Sequence, residues 1–308
     1  MRVLVTGGAG FIGSHLVERL LAGGERVRVL DNLSTGKRAN LASHPGLEFI
    51  EGDIRAAGDV RAVVKDCDAI VHLAAVASVQ ASIDDPIGTH GSNLVGTLNL
   101  LEAARTQGVR RFVYASSAAV YGDTIDVPVH EETILKPQSP YAADKLAGEQ
   151  YLSFYAIKHG LATTSFRFFN IYGPRQDPSS PYSGVISIFV NRARRREPVV
   201  IFGDGMQTRD FVYVGDLADI LWLSLQASHT AGQVINVGRG IECSLLDILG
   251  EIERLVGWPI ERRHVSQRVG DIRRSCARVE RLQQLLHRIP ETPLSSGLRL
   301  LLEHASLA

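Results

Sequence analysis

The chain has 308 residues, 45% hydrophobic and 21% charged, which suits a globular protein with one large core or two modest domains. Lysine plus arginine and aspartate plus glutamate each total 33, so the net charge is +0 and no basic excess points to nucleic acid or a membrane surface. The 29 glycines follow no period, and Cys67, Cys243 and Cys276 are far apart without a C-x-x-C, which argues against collagen, a disulfide scaffold or a zinc knuckle.

From the first residue, short apolar runs alternate with helical stretches. Strands are predicted at Val3–Val5, Val27–Leu30, Leu47–Glu51, Ala69–Leu73 and Arg111–Ser116. Between them, helices are predicted at Phe11–Ala22, Val60–Lys65 and Asn93–Thr106. Runs too apolar for a one-sided sheet fit parallel strands covered on both faces, and the β-α-β-α order predicts a doubly wound α/β sheet. Ser139 and Pro140 form a cap and first turn for a helix to about Lys158, followed by a strand at Leu161–Phe168. After Asn170 the chain becomes turn-rich, at Gly173-Pro174 and between Pro178 and Pro181. The expected division is therefore a dinucleotide-binding domain over 1–170 and a smaller α/β substrate domain over 171–308, with part of 209–230 returning to the first. Later helices are predicted at Val185–Arg196, Val214–Gln226, Leu245–Val256 and Val279–Leu286. The arginines at 192 and 194–196 read as a solvated helix end that balances the dipole.

The first strand runs into Gly7-Gly8-Ala9-Gly10-Phe11-Ile12-Gly13 and then an amphipathic helix. Such a turn lets backbone N–H groups approach a pyrophosphate that the helix N-terminus also stabilises. Gly7 serves the tight turn, Gly10 the close approach and Gly13 the packing of helix on strand. Asp31 ends the second strand 18 residues after Gly13, where a carboxylate accepts hydrogen bonds from a ribose and repels a 2′-phosphate. NAD is therefore expected rather than NADP. Asp53-Ile54, directly after a strand, is placed to meet the adenine.

Tyr141 and Lys145 stand four apart and share a helix face. A phenol with its ordinary pKa near 10 is a poor base at neutral pH. The Lys145 ammonium, the helix N-terminus and an oxidised nicotinamide ring are each expected to lower it. Ser116 and Ser117 end a strand on the side where ligands bind in such sheets, so a hydroxyl there can share a substrate proton with the tyrosine.

These motifs resemble the extended short-chain dehydrogenase/reductase family, and most closely its UDP-sugar 4-epimerases. The likeness is carried by Thr6–Gly13, Asp31-Asn32-Leu33, Gly52-Asp53-Ile54, His72-Leu73-Ala74-Ala75, Ser116–Gly122, Pro140-Tyr141 with Lys145, Arg167-Phe168-Phe169-Asn170, Arg209-Asp210-Phe211 and Arg268-Val269-Gly270-Asp271. It covers about residues 1–280, and the last 30 residues carry no motif. The resemblance implies that Ser117 and Tyr141 act on the sugar 4-hydroxyl while Lys145 tunes Tyr141 and holds the nicotinamide ribose. It extends the NAD contacts to Phe11, Ile12, Asn32, Ser34, Thr35, Gly36, Leu73, Ala74, Ala75, Asn93, Ser116 and Phe168. It gives Asn170, Val185, Arg209, Arg268 and Asp271 to the uridine diphosphate sugar, with Phe202 against the uracil. Arginine suits that diphosphate because its planar fork bonds phosphate oxygens in pairs.

Related 4,6-dehydratases and decarboxylases carry a Glu two residues after the serine, because expelling a further group needs another acid or base. Here Ala118 and Ala119 follow Ser117 and cannot move a proton, whereas epimerisation needs no such group. No metal is needed. Four residues after Asp271, the small Ser275 implies room for an N-acetyl group, so UDP-GlcNAc/UDP-GalNAc is expected beside UDP-glucose/UDP-galactose. Ala77 departs from epimerases that have Lys there.

Two other classes stay open: a nucleotide-sugar reductase or dehydrogenase on the same scaffold, and a non-catalytic NAD-binding sensor. A homodimer is implied at family level, through helices such as 93–106 and 141–158. No apolar run approaches the roughly 18 residues of a membrane helix, and the N-terminus opens on a strand rather than a signal peptide. With the cysteine pattern, this gives a cytoplasmic expectation.

Overall fold

The computed structural model describes residues 1–178, 184–267 and 272–307. The first half follows the expected alternation: β1 (Arg2–Thr6), α1 (Phe11–Ala22), β2 (Arg26–Asp31), β3 (Leu47–Glu51), α2 (Ala57–Val64) and β4 (Ala69–His72). Two short helices come next, α3 (Val79–Asp84) and α4 (Pro86–His90). A π-type turn at Gly91–Val95 leads into α5 (Gly96–Gln107) and then β5 (Arg111–Ser117). The helix predicted from Asn93 thus has its α-helical part only from Gly96. After a long loop come α6 (Pro140–His159), β6 (Ala162–Phe168) and β7 (Asn170–Tyr172).

The rest of the chain forms α7 (Val185–Arg194), β8 (Val199–Phe202), β9 (Thr208–Tyr213) and α8 (Val214–Gln226). It continues through β10 (Gln233–Val237), β11 (Glu242–Ser244), α9 (Leu245–Val256) and β12 (Arg262–Val265), ending in α10 (Glu280–Leu286) and α11 (Leu294–Leu307). α7 stops two residues before the predicted Arg196, which itself takes a left-handed φ of 54° that an α-helix cannot include.

Among the described residues, seven strands form one parallel sheet in the order β10-β6-β5-β4-β1-β2-β3. Strand order reverses between β1 and β4, the point at which doubly wound sheets bind ligands beyond the strand C-termini. One face buries Leu16, Val17 and Leu20 of α1 with Leu217, Ile220 and Leu221 of α8. The other buries Val60, Val63 and Val64 of α2 with Leu100, Leu101, Leu152 and Tyr155 of α5 and α6. The sheet is covered on both sides, which is why its strands read as apolar runs rather than alternations.

A smaller lobe rests on β11-β9-β7 and the pair β12-β8. Its core joins Ile186 and Phe189 of α7, Val199 and Ile201 of β8, Ile248 and Ile252 of α9, and Leu298 and Leu301 of α11. The chain crosses back from this lobe: α8 packs on α1, β10 pairs with β6, and Leu282 of α10 enters the first core.

Candidate active site

The site opens above the C-terminal ends of β1, β4 and β5. Gly7 has φ +70°, and a Cβ there would lie 2.8 Å from the Ala74 backbone N. A Cβ at Gly13 would stand 2.1 Å from the Gly7 carbonyl oxygen, so only glycine lets α1 start this close to β1. Beside Gly10, the one atom within 4 Å of an added Cβ is that same oxygen, at 3.2 Å. Gly10 is the N-cap of α1 and offers no side-chain acceptor to the first turn. The first-turn N–H groups of a helix have no intrahelical partner, which suits them to phosphate oxygens.

Asp31 is buried at the end of β2, where its carboxylate accepts from the Ala9 and Leu33 N–H groups, both at 2.9 Å. Asn32 donates to Asp53 at 3.1 Å, and the Arg55 guanidinium beside Asp53 holds that carboxyl down at about 2. Deeper in, His72 bridges the hydroxyls of Thr6 (2.8 Å) and Thr97 (2.9 Å). Burial, with Lys145 nearby, pushes its pKa down to about 3, so it stays neutral.

Ser139 caps α6 by accepting from the Ala142 N–H at 3.2 Å, with Pro140 in the first turn. Tyr141, Lys145 and Glu149 then recur every four residues on one face. α6 approaches β5 closely at Gly148, where a Cβ would lie 2.4 Å from the Tyr114 oxygen. Lys145 Nζ donates to the Ala115 carbonyl at 2.7 Å and sits 5.8 Å from the Tyr141 ring centroid. Below it, Arg167 of β6 bonds Glu149 through Nε (2.9 Å) and Nη2 (2.7 Å), and Ser116 donates to the same carboxylate. Arg167 also donates to Tyr121 at 3.0 Å, and Tyr121 to Asn236 of β10 at 2.6 Å. This buried network fixes the end of β5 against α6.

The expected lowering of the Tyr141 pKa is not produced by the chain's own groups. Burial pushes the phenol up, and the Ser117 hydroxyl beside it pulls part of the way back. Burial likewise brings Lys145 down to about 8, against the pull of Asp144 and Glu149. The expectation weighed charges but not desolvation, which disfavours phenolate and ammonium alike.

A cavity of about 350 Å³ collects most of the predicted cofactor and catalytic residues. Its walls include Gly7, Gly10, Phe11, Ile12, Gly13, Asp31, Asn32, Ser34, Thr35, Asp53, Ile54, Leu73, Ala74, Ala75, Phe168, Ser116, Ser117, Tyr141 and Lys145. Gly36 and Asn93 are outside this wall. A Cβ at Gly36 would meet the Asp31 carboxylate at 2.8 Å, and Asn93 clamps the Val76 backbone by accepting from its N–H (2.8 Å) and donating to its carbonyl (3.1 Å). Both shape the wall from behind. The wall also holds Leu30, Gly52, Val76, Ala77, Ser92, Ala115, Phe169 and Ile171, beyond the predicted contacts. Ser92 rides on the π-type turn, which has no sequence signature to announce it.

The predicted substrate residues gather elsewhere, three of them around β9. Asn170 opens β7 and pairs with Phe211, Arg209 lies in β9 with Nη1 donating to the Thr208 carbonyl at 2.8 Å, and the Ser275 N–H donates to that same carbonyl at 3.2 Å. Val185 begins α7 at the edge of the smaller core, and Phe202 ends β8, paired with Val265 of β12. Arg268 and Asp271 lie outside the described residues.

A pyrophosphate cradle and a tyrosine-lysine helix facing one cavity place the protein among enzymes that use a bound dinucleotide for dehydrogenase-type chemistry. Residues 3–238 match the NAD dependent epimerase/dehydratase family, and the chain belongs to that family. It is 42% identical over 304 residues to the UDP-glucose 4-epimerase of Mycolicibacterium smegmatis, covering 97% of this chain and 96% of that one. Among solved structures it is similar to the UDP-N-acetylglucosamine 4-epimerase of Methanobrevibacter ruminantium in complex with UDP-N-acetylmuramic acid, at TM-score 0.95 and 36% identity over 99% of this chain and 98% of that one. It is also similar to the Thermus thermophilus UDP-glucose 4-epimerase in complex with NAD, at TM-score 0.90 and 40% identity, covering 99% and 98%.

Proposed function

We propose that the protein is an NAD-dependent epimerase that inverts C4 of a UDP-hexose. The observation that carries this is the meeting of Ser117, Tyr141 and Lys145 in the same cavity as the Gly7–Gly13 cradle. The residues fit the dinucleotide: Gly7 and Gly13 let the turn and α1 pack tightly against the neighbouring backbone, Gly10 adds no side chain at the start of α1, Asp31 would bond the first ribose, and Lys145 the second. NAD, when bound, supplies a hydride acceptor and donor for C4 and a positive charge near the phenol.

Tyr141 takes the proton of the sugar 4-hydroxyl, and Ser117 shares the hydrogen bond as the oxygen becomes a carbonyl. Lys145 stabilises the phenolate while its own hydrogen bond to Ala115 fixes its position. The 4-keto sugar turns its other face to the cavity, and Tyr141 returns the proton to the opposite epimer. Ala118 and Ala119, which follow Ser117, offer no further acid or base to drive loss of the 6-hydroxyl.

Asn170, Phe202, Arg209, Arg268, Asp271 and Val185 are proposed to hold the nucleotide, with residues 1–170 serving mainly the dinucleotide and 171–308 the substrate. A grip confined to the diphosphate leaves the sugar free to rotate. Small Ser275 supports acceptance of N-acetylated hexoses. A homodimer through α5 and α6 is supported by exposed Val95, just before α5, and Tyr151, Phe154 and Ile157 on α6. The three unbonded cysteines support a cytoplasmic setting, and among the described residues no helix is long and apolar enough to cross a membrane.

The purified protein, incubated separately with UDP-galactose and UDP-GalNAc and no added cofactor, is expected to form the C4 epimers over many turnovers. Accumulating NADH, or a requirement for NAD(P)H in step with product, would instead mark a dehydrogenase or reductase.

A further inference from the structure

β5 ends in two serines whose hydroxyls have different partners. Ser117 Oγ accepts from the Ala119 N–H at 3.2 Å, which caps a 3-10 turn at Ala118–Tyr121, and the same hydroxyl lies beside the Tyr141 phenol. Ser116 is buried and also lines the cavity, yet its hydroxyl donates to Glu149 Oε1 at 2.5 Å. Glu149 stands one turn of α6 beyond Lys145, whose Nζ holds the Ala115 carbonyl at 2.7 Å. The two residues before Ser117 are thus each tied to α6, the helix that carries Tyr141. The chain is held again after Ser117. Tyr121, the last residue of the turn, accepts from Arg167 Nη1 at 3.0 Å and donates to Asn236 at 2.6 Å, and the same Nη1 donates to the Glu131 carbonyl at 3.0 Å.

We propose that Ser116, Glu149, Arg167 and Tyr121 are positioning residues that bracket Ser117 and hold its hydroxyl in register with Tyr141 and the sugar 4-hydroxyl. The proposal rests on the reading of Ser117 and Tyr141 as the proton-handling pair of a C4 epimerase. The Ser116 hydroxyl then serves Glu149 and not the cofactor, in contrast to the NAD contact that the resemblance implies.

Both arms of the bracket meet at one ion pair. Arg167 and Glu149 share two bonds, Nε to Oε1 at 2.9 Å and Nη2 to Oε2 at 2.7 Å, with side chains 4% and 2% exposed. Neither residue lines the cavity, so the pair acts on the site only through what it is bonded to. A buried ion pair adds little net stability, because desolvating both charges offsets their attraction. Its two parallel bonds do fix geometry, and here they fix β6 against α6 with Ser116 on the carboxylate and Tyr121 on the guanidinium. That geometry bears on the reaction. Passing a proton among serine, tyrosine and a sugar hydroxyl needs separations of about 2.6–3.2 Å, and a misplacement of about 1 Å costs on the order of a hundredfold.

The test measures kcat and KM for UDP-galactose, bound NAD and melting temperature on the same preparations of NAD-loaded enzyme. Ser116→Ala and Tyr121→Phe each release one arm, and each is expected to lower kcat about tenfold with KM within about twofold and NAD content unchanged. Thr230→Ala is the control for general softening. It removes a hydroxyl that bonds Arg111 and Thr164 near the start of β5 and β6, so it should lower the melting temperature while kcat stays within about twofold of wild type. Glu149→Leu/Arg167→Met replaces the pair with apolar side chains and leaves no lone buried charge, so the fold should survive while kcat falls as in the single variants. Wild-type kcat in Ser116→Ala and Tyr121→Phe, or an equal loss of kcat in Thr230→Ala, overturns the bracket. Loss of NAD from Ser116→Ala overturns it too, by giving that hydroxyl to the cofactor. All these outcomes are read against an active wild type; a wild type that forms no epimer overturns the parent reading instead.

Discussion

At Tyr141, shelter from water and readiness to accept a proton pull against each other. The same burial that gives the site its strong electrostatics raises the phenol's affinity for its proton, and among the described residues the Ser117 hydroxyl offsets this in part. In the proposed mechanism the remaining bias comes from Lys145 and from the positive charge of a bound cofactor, which ties proton abstraction to a loaded site. Ser275 carries a different kind of control. Its backbone N–H donates to the Thr208 carbonyl, which places the residue next to Arg209 among the proposed nucleotide residues. Ser275→Tyr is expected to cut kcat/KM for UDP-GalNAc by about tenfold or more while UDP-galactose changes by less than about threefold, since shape differences in a pocket discriminate by roughly 1–3 kcal/mol. Steady-state kinetics on the two substrates check this, and an equal loss for both would remove Ser275 from the specificity account.

α6 shows how far local sequence reaches. Ser139 and Pro140 mark its start, Gly160 in the left-handed region ends it, and the four-residue spacing puts Tyr141, Lys145 and Glu149 on one face. α8 and α9 likewise begin and end where their apolar periodicity predicts, α9 with a Ser244–Asp247 capping box. The strands of the smaller lobe are less legible, because their polar residues are satisfied by distant partners. Asp210, fully buried in β9, accepts from the N–H groups of Arg239, Gly240 and Ala277. β12 is Arg-Arg-His-Val and exposed throughout, so it has no pattern to read. α3 and α4 span 6 and 5 residues, too short for periodicity to emerge. The partner of Glu149 was equally hidden: Arg167 is legible as part of a motif, but its buried pairing follows only from β6 lying beside β5. Removing one member of such a buried pair costs about 3–5 kcal/mol, because the other is left uncompensated.

Across the molecule, the two lobes are interleaved rather than strung in series. The last 30 residues, which carry no motif, complete both cores: Leu282 joins the large one, Leu298 and Leu301 the small one. Between them Asp216 at the start of α8 accepts from the Thr292 N–H and hydroxyl, both at 2.8 Å, which pins the tail where the lobes meet. The outer face of α6 leaves Phe154 48% and Ile157 76% exposed, an apolar surface in line with the proposed dimer. Light scattering should find a dimer for the wild type and a monomer, or a much weaker dimer, for Ile157→Asp; a monomeric wild type at micromolar concentration would contradict the interface.

Proton transfer at Tyr141 is open to a direct measurement: kcat of Tyr141→Phe, with bound NAD quantified in the same preparation. The expected result is a fall of about a thousandfold with NAD content unchanged, the scale of a lost general acid–base group. Turnover close to wild type in a variant that still holds its NAD would show that some other group moves the proton.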